Sequence, residues 1–172
     1  MKRVAIVGSG GAGKTAFANE LGRRTGLPVL HLDHFHWRPG WVVPDEEEWA
    51  MTQSELVERP EWIIDGNYGA QFDLRFDRAD TVIVLALPRR VCMYRVLKRV
   101  VTNWHREVQA PGCREHFDYE FLRWLWRFPK HSRPQLDAAL ARHRDSIEVI
   151  ELETRGDVRR YVDALAETPE GQ

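Results

Sequence analysis

The chain has 172 residues, a net charge of −1 and two cysteines. This length suits a single domain with a substantial core, and we expect no appended regulatory domain. The near-zero charge argues against a generally basic nucleic-acid surface, and Cys92 and Cys113 lack metal-ligand spacing, which indicates reduced thiols. We expect a cytoplasmic protein, because we find neither a signal-peptide segment nor an apolar stretch of about 20 residues.

Short apolar runs alternate with amphipathic segments along the chain, which predicts a parallel α/β sheet. The predicted strands are residues 4–7, 29–32, 62–66, 81–87 and 147–152. The first predicted helix runs from Gly13 to Gly26, and the second begins at a capping-box-like pair, Asp45 and Glu48.

Four further helices are predicted in the second half of the chain. The helix after Pro88 has an apolar stripe, formed by Met93, Val96, Leu97, Val100, Val101 and Trp104. Prolines then suggest two separate helices, one over 118–128 that Pro129 stops and one from Pro134 to His143. The last helix is capped by Asp157 and buries Val158, Tyr161, Val162 and Leu165.

A glycine-rich segment follows the first strand and has the pattern G-x-x-x-x-G-K-[ST]. Its residues are Gly8, Ser9, Gly10, Gly11, Ala12, Gly13, Lys14 and Thr15. Glycines let successive backbone N–H groups surround a phosphate, and the following helix presents its positive end to it. The pattern predicts a phosphate-binding loop (P-loop) in which Lys14 binds the β- and γ-phosphates and Thr15 ligates Mg²⁺.

Two acidic residues close the next predicted strands, at the sheet edge where ligands of such folds collect. Asp65 is typical of the strand-terminal acid that holds Mg²⁺, although Asp65-Gly66 is also a common turn. Asp33 is a candidate to accept a proton from a substrate hydroxyl, or else it caps the following loop.

Histidines surround Asp33, and tryptophans follow it. His31, Asp33, His34 and His36 suggest either a metal site or loop and substrate contacts, and an extended chain would split them between two faces. Trp37 and Trp41 are candidates to line an acceptor pocket.

Charge is distributed unevenly along the chain. Residues 45–65 contain eight acidic residues and one basic residue, whereas residues 89–133 contain eleven basic and four acidic residues. The basic segment is a candidate to gather around phosphates, and the alternative is ordinary solvated helix surface.

The P-loop, the segment 63–68 and the segment 79–99 resemble the adenylate-kinase-type nucleoside monophosphate kinases. The resemblance is closer to the small adenylate-kinase-like proteins known as DNA topology modulation proteins. Their pattern His-x-Asp-x-x-x-Trp, Asp-Gly-Asn-Tyr and Trp-x-Trp-x-Phe-Pro occurs here at 31–37, 65–68 and 124–129. It covers roughly residues 1–152.

This resemblance implies a P-loop NTPase fold, with a five-stranded parallel sheet in the order 2-3-1-4-5, flanking helices and a mobile, basic helical lid at about 99–133. Residues 1–167 would form one kinase-like domain, and 168–172 a loose tail. Arg95 and Arg99 take the place of lid-hinge arginines that contact ATP and the transferring phosphate, and their spacing puts them on one helix face. Further lid candidates are Arg106, Arg123, Arg127, Lys130 and Arg133.

The chain departs from adenylate kinases after Asp65-Gly66, where Asn67-Tyr68 replaces the family's Phe-Pro-Arg. The arginine that grips AMP is therefore absent from its usual place, and Arg75 and Arg78 are candidate replacements.

These features predict a Mg·ATP-dependent phosphotransferase acting on a small-molecule acceptor. The predicted catalytic residues are Lys14, Asp33, Arg95 and Arg99; ATP is bound by the P-loop with both arginines, and Mg²⁺ by Thr15 and Asp65. The alternative is an ATP-binding regulator of the DNA topology modulation type that phosphorylates no acceptor. Neither a membrane nor a nucleic-acid partner is expected, and the acceptor and the oligomeric state stay open.

Overall fold

A single parallel sheet organises the structure, a computed structural model that describes residues 1–166. Its strands are β1 (Arg3–Gly8), β2 (Val29–His31), β3 (Trp62–Asp65), β4 (Thr81–Leu85) and β5 (Glu148–Leu152). They lie in the order β2-β3-β1-β4-β5, which confirms the predicted fold class. The predicted tail at 168–172 lies outside the described residues.

Seven α-helices in the described part of the chain cover the sheet. They are α1 (Lys14–Thr25), α2 (Leu32–His36), α3 (Glu46–Val57), α4 (Phe72–Phe76), α5 (Arg89–Thr102), α6 (Tyr119–Arg142) and α7 (Arg155–Ala166), with a 3₁₀ turn at Gly69–Gln71. None of the helices within residues 1–166 has the length and apolarity that a membrane span requires.

Buried strand residues alternate between two cores, one on each face of the sheet. In β1, Ala5 and Val7 face the core that α3, α4 and the second half of α6 cover, whereas Val4 and Ile6 face the core under α1, α5 and α7. Both faces are apolar because helices cover both, as parallel sheets require.

Local signals predicted several helix ends correctly. Gly26 ends α1 in a left-handed conformation, and its N–H donates to the Gly22 carbonyl at 2.9 Å. Asp45 caps α3 by accepting the Glu48 N–H at 2.8 Å. At α7 the predicted cap, Asp157, lies inside the first turn, and Thr154 is the residue before the helix; Asp157 accepts the Thr154 N–H and the Thr154 hydroxyl accepts the Asp157 N–H.

The prediction of two helices around Pro129 and Pro134 was wrong, because α6 continues through both prolines for 24 residues. Each proline removes one backbone hydrogen bond, and its ring crowds the carbonyl one turn earlier. Burial offsets this cost: Leu125 belongs to one core, Leu136 belongs to the other, and both are fully buried. Helix α6 therefore connects the cores of both sheet faces.

Helix α5 is shorter and rotated relative to the prediction. It ends at Thr102, and it buries Cys92, Val96 and Val100. The predicted stripe members Leu97, Val101 and Trp104 are exposed. Cys92 and Cys113 are both free and buried.

Arg75 supports the loop that leaves β3. Its side chain is 1% exposed and donates to the carbonyls of Gly66 (3.1 Å), Asn67 (2.8 Å) and Tyr68 (3.1 Å). Burial lowers the pKa of Arg75 to about 9, so it stays protonated at neutral pH. Arg78 instead pairs with exposed Glu58 at 2.7 Å. The two candidate replacements for the AMP-gripping arginine are therefore engaged elsewhere, and neither lines the cavity described below.

We predict that Arg75→Ala lowers the free energy of unfolding by about 2–4 kcal/mol, because it leaves three carbonyls without their donor and opens a space in the core. Urea unfolding followed by circular dichroism measures this change. Arg78→Ala is the matched control and should cost less than about 1 kcal/mol, since it breaks only an exposed ion pair. Equal losses in the two variants would contradict the supporting role of Arg75.

Candidate active site

The carboxyl ends of the central strands bring the predicted site residues to one edge of the sheet. Asp65 at the end of β3 is aligned with Ile6 of β1 on one side and with His31 of β2 on the other. The P-loop begins where β1 ends, so it lies directly beside Asp65.

The P-loop packs tightly against the first turn of α5. Gly11 has a φ of +71°, and a Cβ at this position would lie 2.5 Å from the Cys92 carbonyl oxygen. Only glycine allows both this conformation and this approach. The contact brings Arg95 to the loop, where it donates to the carbonyls of Ala12 (2.8 Å) and Gly11 (3.4 Å).

Lys14 lies folded over the P-loop. Its ammonium donates to the carbonyls of Gly8 at 3.0 Å and Ser9 at 3.1 Å. Burial lowers the pKa of Lys14, and the nearby carboxylates of Asp33 and Asp65 oppose this shift. Both acids therefore lie close enough to Lys14 to influence its charge.

Thr15 and Asp65 present neighbouring oxygen atoms. The Thr15 hydroxyl donates to Asp65 Oδ2 at 3.0 Å, and the Asp65 side chain is buried. His31 Nδ1 makes a very close contact with Asp65 Oδ1, and this hydrogen bond is the main cause that raises the pKa of His31. A hydroxyl and a carboxylate beside a phosphate-binding loop form a donor set that fits Mg²⁺.

Asp33 and Tyr68 face each other across the end of β3. The Tyr68 hydroxyl donates to Asp33 Oδ1 at 2.6 Å, and no residue in the described part of the chain donates to Asp33 Oδ2. Burial, with the Asp33 charge, raises the pKa of Tyr68, so its hydroxyl keeps its proton and acts as donor. Sequence reasoning missed this partner of Asp33, since Tyr68 lies 35 residues away.

Arg99 is held by an acid that sequence reasoning also missed. Its guanidinium pairs with Glu115 at 3.0 Å, and Glu115 is only 3% exposed. Arg99 and Glu115 line the same cavity as the P-loop, and the positive charge of Arg99 contributes to lowering the pKa of Lys14. No local motif marks Glu115, which lies in the long connection between α5 and α6.

One large cavity of about 1640 Å³ is lined by most of these residues, among them Lys14, Thr15, Asp33, Tyr68, Arg95 and Arg99, whereas Asp65 is buried and is not a lining residue. It extends from the P-loop in two directions. Toward α7 it is lined by Arg155, Val158, Arg159 and Val162. We call the other part, on the side of β2, the acceptor half; it is lined by Asp33, His34, Trp37, Trp41, Asn67, Tyr68, His116, Ser132 and Gln135.

The five further basic lid candidates do not line this cavity in the described structure; they are Arg106, Arg123, Arg127, Lys130 and Arg133. Arg106 lies beyond the end of α5, so it does not continue the Arg95 and Arg99 face. Arg133 pairs with Asp137 at 2.6 Å and with Glu151 at 2.7 Å.

The histidines near Asp33 do not form a metal centre. Residues 32–36 are helical rather than extended, because a helical turn places Leu32 in the core. His31 and His34 line the cavity, whereas His36 packs against Trp49 and Tyr68. Within residues 1–166, no three His, Cys, Asp or Glu side chains converge as metal ligands.

Two short hairpins meet over the acceptor half. One is bridged between Arg38 and Val42, and the other, within the predicted lid, between Glu107 and Arg114. The Gly40 N–H donates to the Gly112 carbonyl at 3.0 Å. Trp41 Nε1 donates to the Arg114 carbonyl at 2.9 Å. These contacts connect the acceptor side of the cleft to the segment after α5.

Comparison with known proteins identifies the fold. The chain matches no protein-family model and no curated protein. A shikimate kinase from Acinetobacter baumannii in complex with shikimate is 17% identical, with a TM-score of 0.62 over 96% of this chain and 90% of that one. A shikimate kinase from Bacteroides thetaiotaomicron is 18% identical, with a TM-score of 0.53 over 96% of both chains. An unliganded sugar kinase from Janibacter sp. HTCC2649 is 20% identical, with a TM-score of 0.54 over 97% and 91%. The chain therefore has the fold of small P-loop kinases.

Proposed function

We propose that this protein is a Mg·ATP-dependent phosphotransferase that acts on a hydroxyl group of a small molecule. One observation carries the proposal: the P-loop and Thr15, whose hydroxyl donates to Asp65, line the same cavity as a second carboxylate, Asp33. A protein that only bound ATP would not need this second acid or the acceptor half around it. The fold shared with a kinase that binds shikimate supports the same proposal.

Residues around the P-loop would bind the nucleotide and its metal. The backbone N–H groups of residues 8–15 and Lys14 would hold the β- and γ-phosphates, and Thr15 and Asp65 would ligate Mg²⁺. Mg·ATP supplies the transferable phosphoryl group and neutralises part of its charge. In this proposal Lys14 exchanges its bonds to the Gly8 and Ser9 carbonyls for phosphate oxygens.

Asp33 would orient the acceptor hydroxyl and take its proton. Tyr68 holds Oδ1, which leaves Oδ2 to accept a hydrogen bond from the acceptor. Arg95 and Arg99 would place positive charge near the transferring phosphate. Arg95 is held there by its hydrogen bond to a P-loop carbonyl, and Arg99 is held by its pair with Glu115. Catalysis would then consist of positioning and charge neutralisation, as in other phosphoryl transfers.

Finer assignments rest on the sequence resemblance. We propose an adenylate-kinase-like enzyme, related to the DNA topology modulation proteins, in which residues 1–167 form one domain. The regulator hypothesis predicts ATP binding without product, so a screen for phosphoryl transfer separates it from the enzyme hypothesis.

Lys14→Ala should weaken Mg·ATP binding by about 10- to 100-fold, because it removes a charge-assisted bond to phosphate. The thermal stabilisation that Mg·ATP produces should fall accordingly, while the melting temperature without nucleotide should change little. Lys98→Ala is the matched control, since Lys98 is exposed on α5 and lies outside the cavity. Unchanged ATP binding in Lys14→Ala would show that the P-loop assignment is wrong.

Replacing Asp65 or Asp33 by asparagine should change different kinetic properties. Asp65→Asn should raise the Mg²⁺ concentration needed for half-maximal activity by about 10-fold, because an amide binds the cation less well than a carboxylate. Asp33→Asn should lower kcat by about 100-fold or more and change ATP affinity only a few-fold, since it removes a general base. Titrations of activity against Mg²⁺ and of binding against ATP separate these outcomes. Normal kinetics in both variants would overturn the assigned roles.

We expect that residues 103–118 are the segment that closes over bound ligands. Helix α6 cannot follow easily, because Leu125 and Leu136 are fully buried in the two cores. Hydrogen exchange with saturating Mg²⁺ and a non-hydrolysable ATP analogue should therefore slow in 103–118 and stay constant in 125–136. Trp104 is 51% exposed and should report closure by its fluorescence. Unchanged exchange in 103–118 at saturation would indicate a rigid nucleotide binder.

A further inference from the structure

Four of the five lysines and arginines that line the cavity within the described residues lie at its nucleotide side. They are Lys14, Arg95, Arg155 and Arg159; the fifth is Arg99, and residues 167–172 contain no lysine or arginine. Lys14 and Arg95 bond to the P-loop itself. Arg155 and Arg159 lie on α7, which follows β5 at the opposite edge of the sheet from β2 and Asp33.

Arg99 is the remaining lining cation, and its charge is already matched. It pairs with Glu115, which is almost fully buried and needs this partner. The Arg99–Glu115 pair therefore adds no net charge to the acceptor half.

Helix α6 keeps its own basic residues out of the cavity. Phe121, Trp124 and Gln135 mark the face of α6 that lines the cavity. At 100° per residue, Arg123 and Lys130 project about 100° or more away from that face. Arg127 lies closer to it, about 60° from Trp124, but is exposed and does not line the cavity. Turning them inward would require withdrawing Leu125 and Leu136 from the two cores.

The acceptor half thus contains an acid, uncharged polar groups and two histidines, but no lysine or arginine apart from the paired Arg99. Asp33 provides the carboxylate, Asn67, Ser132 and Gln135 provide uncharged polar groups, and the histidines are His34 and His116. A phosphate or carboxylate on the acceptor would meet Asp33 with no free lysine or arginine to balance it. A neutral hydroxyl would instead donate to Asp33 Oδ2.

Aromatic rings provide the apolar part of this surface. Trp37 and Trp41 line the acceptor half with their ring centroids 5.3 Å apart and their planes at 73°, and Trp41 also contacts the ring of His116 at 5.6 Å. Such rings suit the face of a ring-shaped molecule whose polar groups point elsewhere.

We infer that the acceptor is an uncharged, ring-containing hydroxyl compound, and that phosphate- or carboxylate-bearing acceptors are rejected. This inference rests on the proposed phosphotransferase function and determines its substrate class. It separates this chain from a nucleoside monophosphate kinase, because the acceptor of such an enzyme carries a phosphate.

The test is a phosphoryl-transfer screen with the full chain, Mg·ATP and matched pairs of acceptors that differ in charge. The pairs are adenosine and AMP, cytidine and CMP, glucose and glucose 6-phosphate, and the methyl ester of shikimate and shikimate. Mass spectrometry identifies each product, and about pH 8 keeps ordinary imidazoles neutral. We expect transfer to the neutral member of at least one pair, with kcat/KM about 10-fold or more above that of its anionic partner. The nucleoside and sugar pairs distinguish the two kinds of ring.

Different results of this screen would contradict the inferred substrate class and the proposed phosphotransferase function. Transfer to AMP, CMP, glucose 6-phosphate or shikimate in preference to the neutral partner would overturn the inference and support the kinase. Binding of Mg·ATP without transfer to any member of any pair would count against the phosphotransferase itself.

A variant that adds a charge tests the same electrostatic argument directly. Gln135→Arg places a guanidinium in the acceptor half and should reduce the preference for neutral over anionic acceptors by about 10-fold, as one charge-assisted bond would. His131→Arg adds the same charge on an exposed part of α6 outside the cavity and should leave the preference unchanged. Equal preferences in these two variants would contradict the inference.

Discussion

Parallel pairing of β1 between β3 and β4 is the constraint on which the candidate site depends. It aligns Ile6 with Asp65, so the chain that leaves β1 as the P-loop must pass beside the acid that ends β3. The hydrogen bond between Thr15 and Asp65 then links two segments that lie 50 residues apart. Because all five strands run in the same direction, their carboxyl ends collect at one edge, and the ligand-binding loops converge there.

The arginine side chains around this edge of the sheet mainly hold loop carbonyls and one acidic side chain in place. Arg75 binds three carbonyls of the loop after β3, Arg95 binds two carbonyls of the P-loop, and Arg99 is paired with Glu115. Each guanidinium offers several donors in a rigid plane, which suits it to fix a loop that has no regular hydrogen bonds of its own. A basic composition between residues 89 and 133 therefore does not translate into a basic acceptor surface.

Helix α6 is fixed by its buried side chains. Its buried residues reach the cores on both faces of the sheet, so its orientation is coupled to the stability of the whole domain. The connection from 103 to 118 has little regular structure beyond one bridge, and it touches the acceptor side through Gly112 and Arg114. This division makes the connection, rather than the helix, the segment suited to closing over ligands.

The sequence by itself determined the features that depend on neighbouring residues. The P-loop, the caps of α1 and α3, the strands and the acids at their ends follow from local patterns, and the strand order followed from the family resemblance. Tertiary structure alone decided the partners of the charged groups: Tyr68 for Asp33, Glu115 for Arg99 and loop carbonyls for Arg75. It also decided that α6 continues through its prolines, since the burial that offsets their cost comes from two distant cores. Local propensity depends on residues within a few turns, whereas the pairing and burial of a side chain depend on chain segments that only folding brings together.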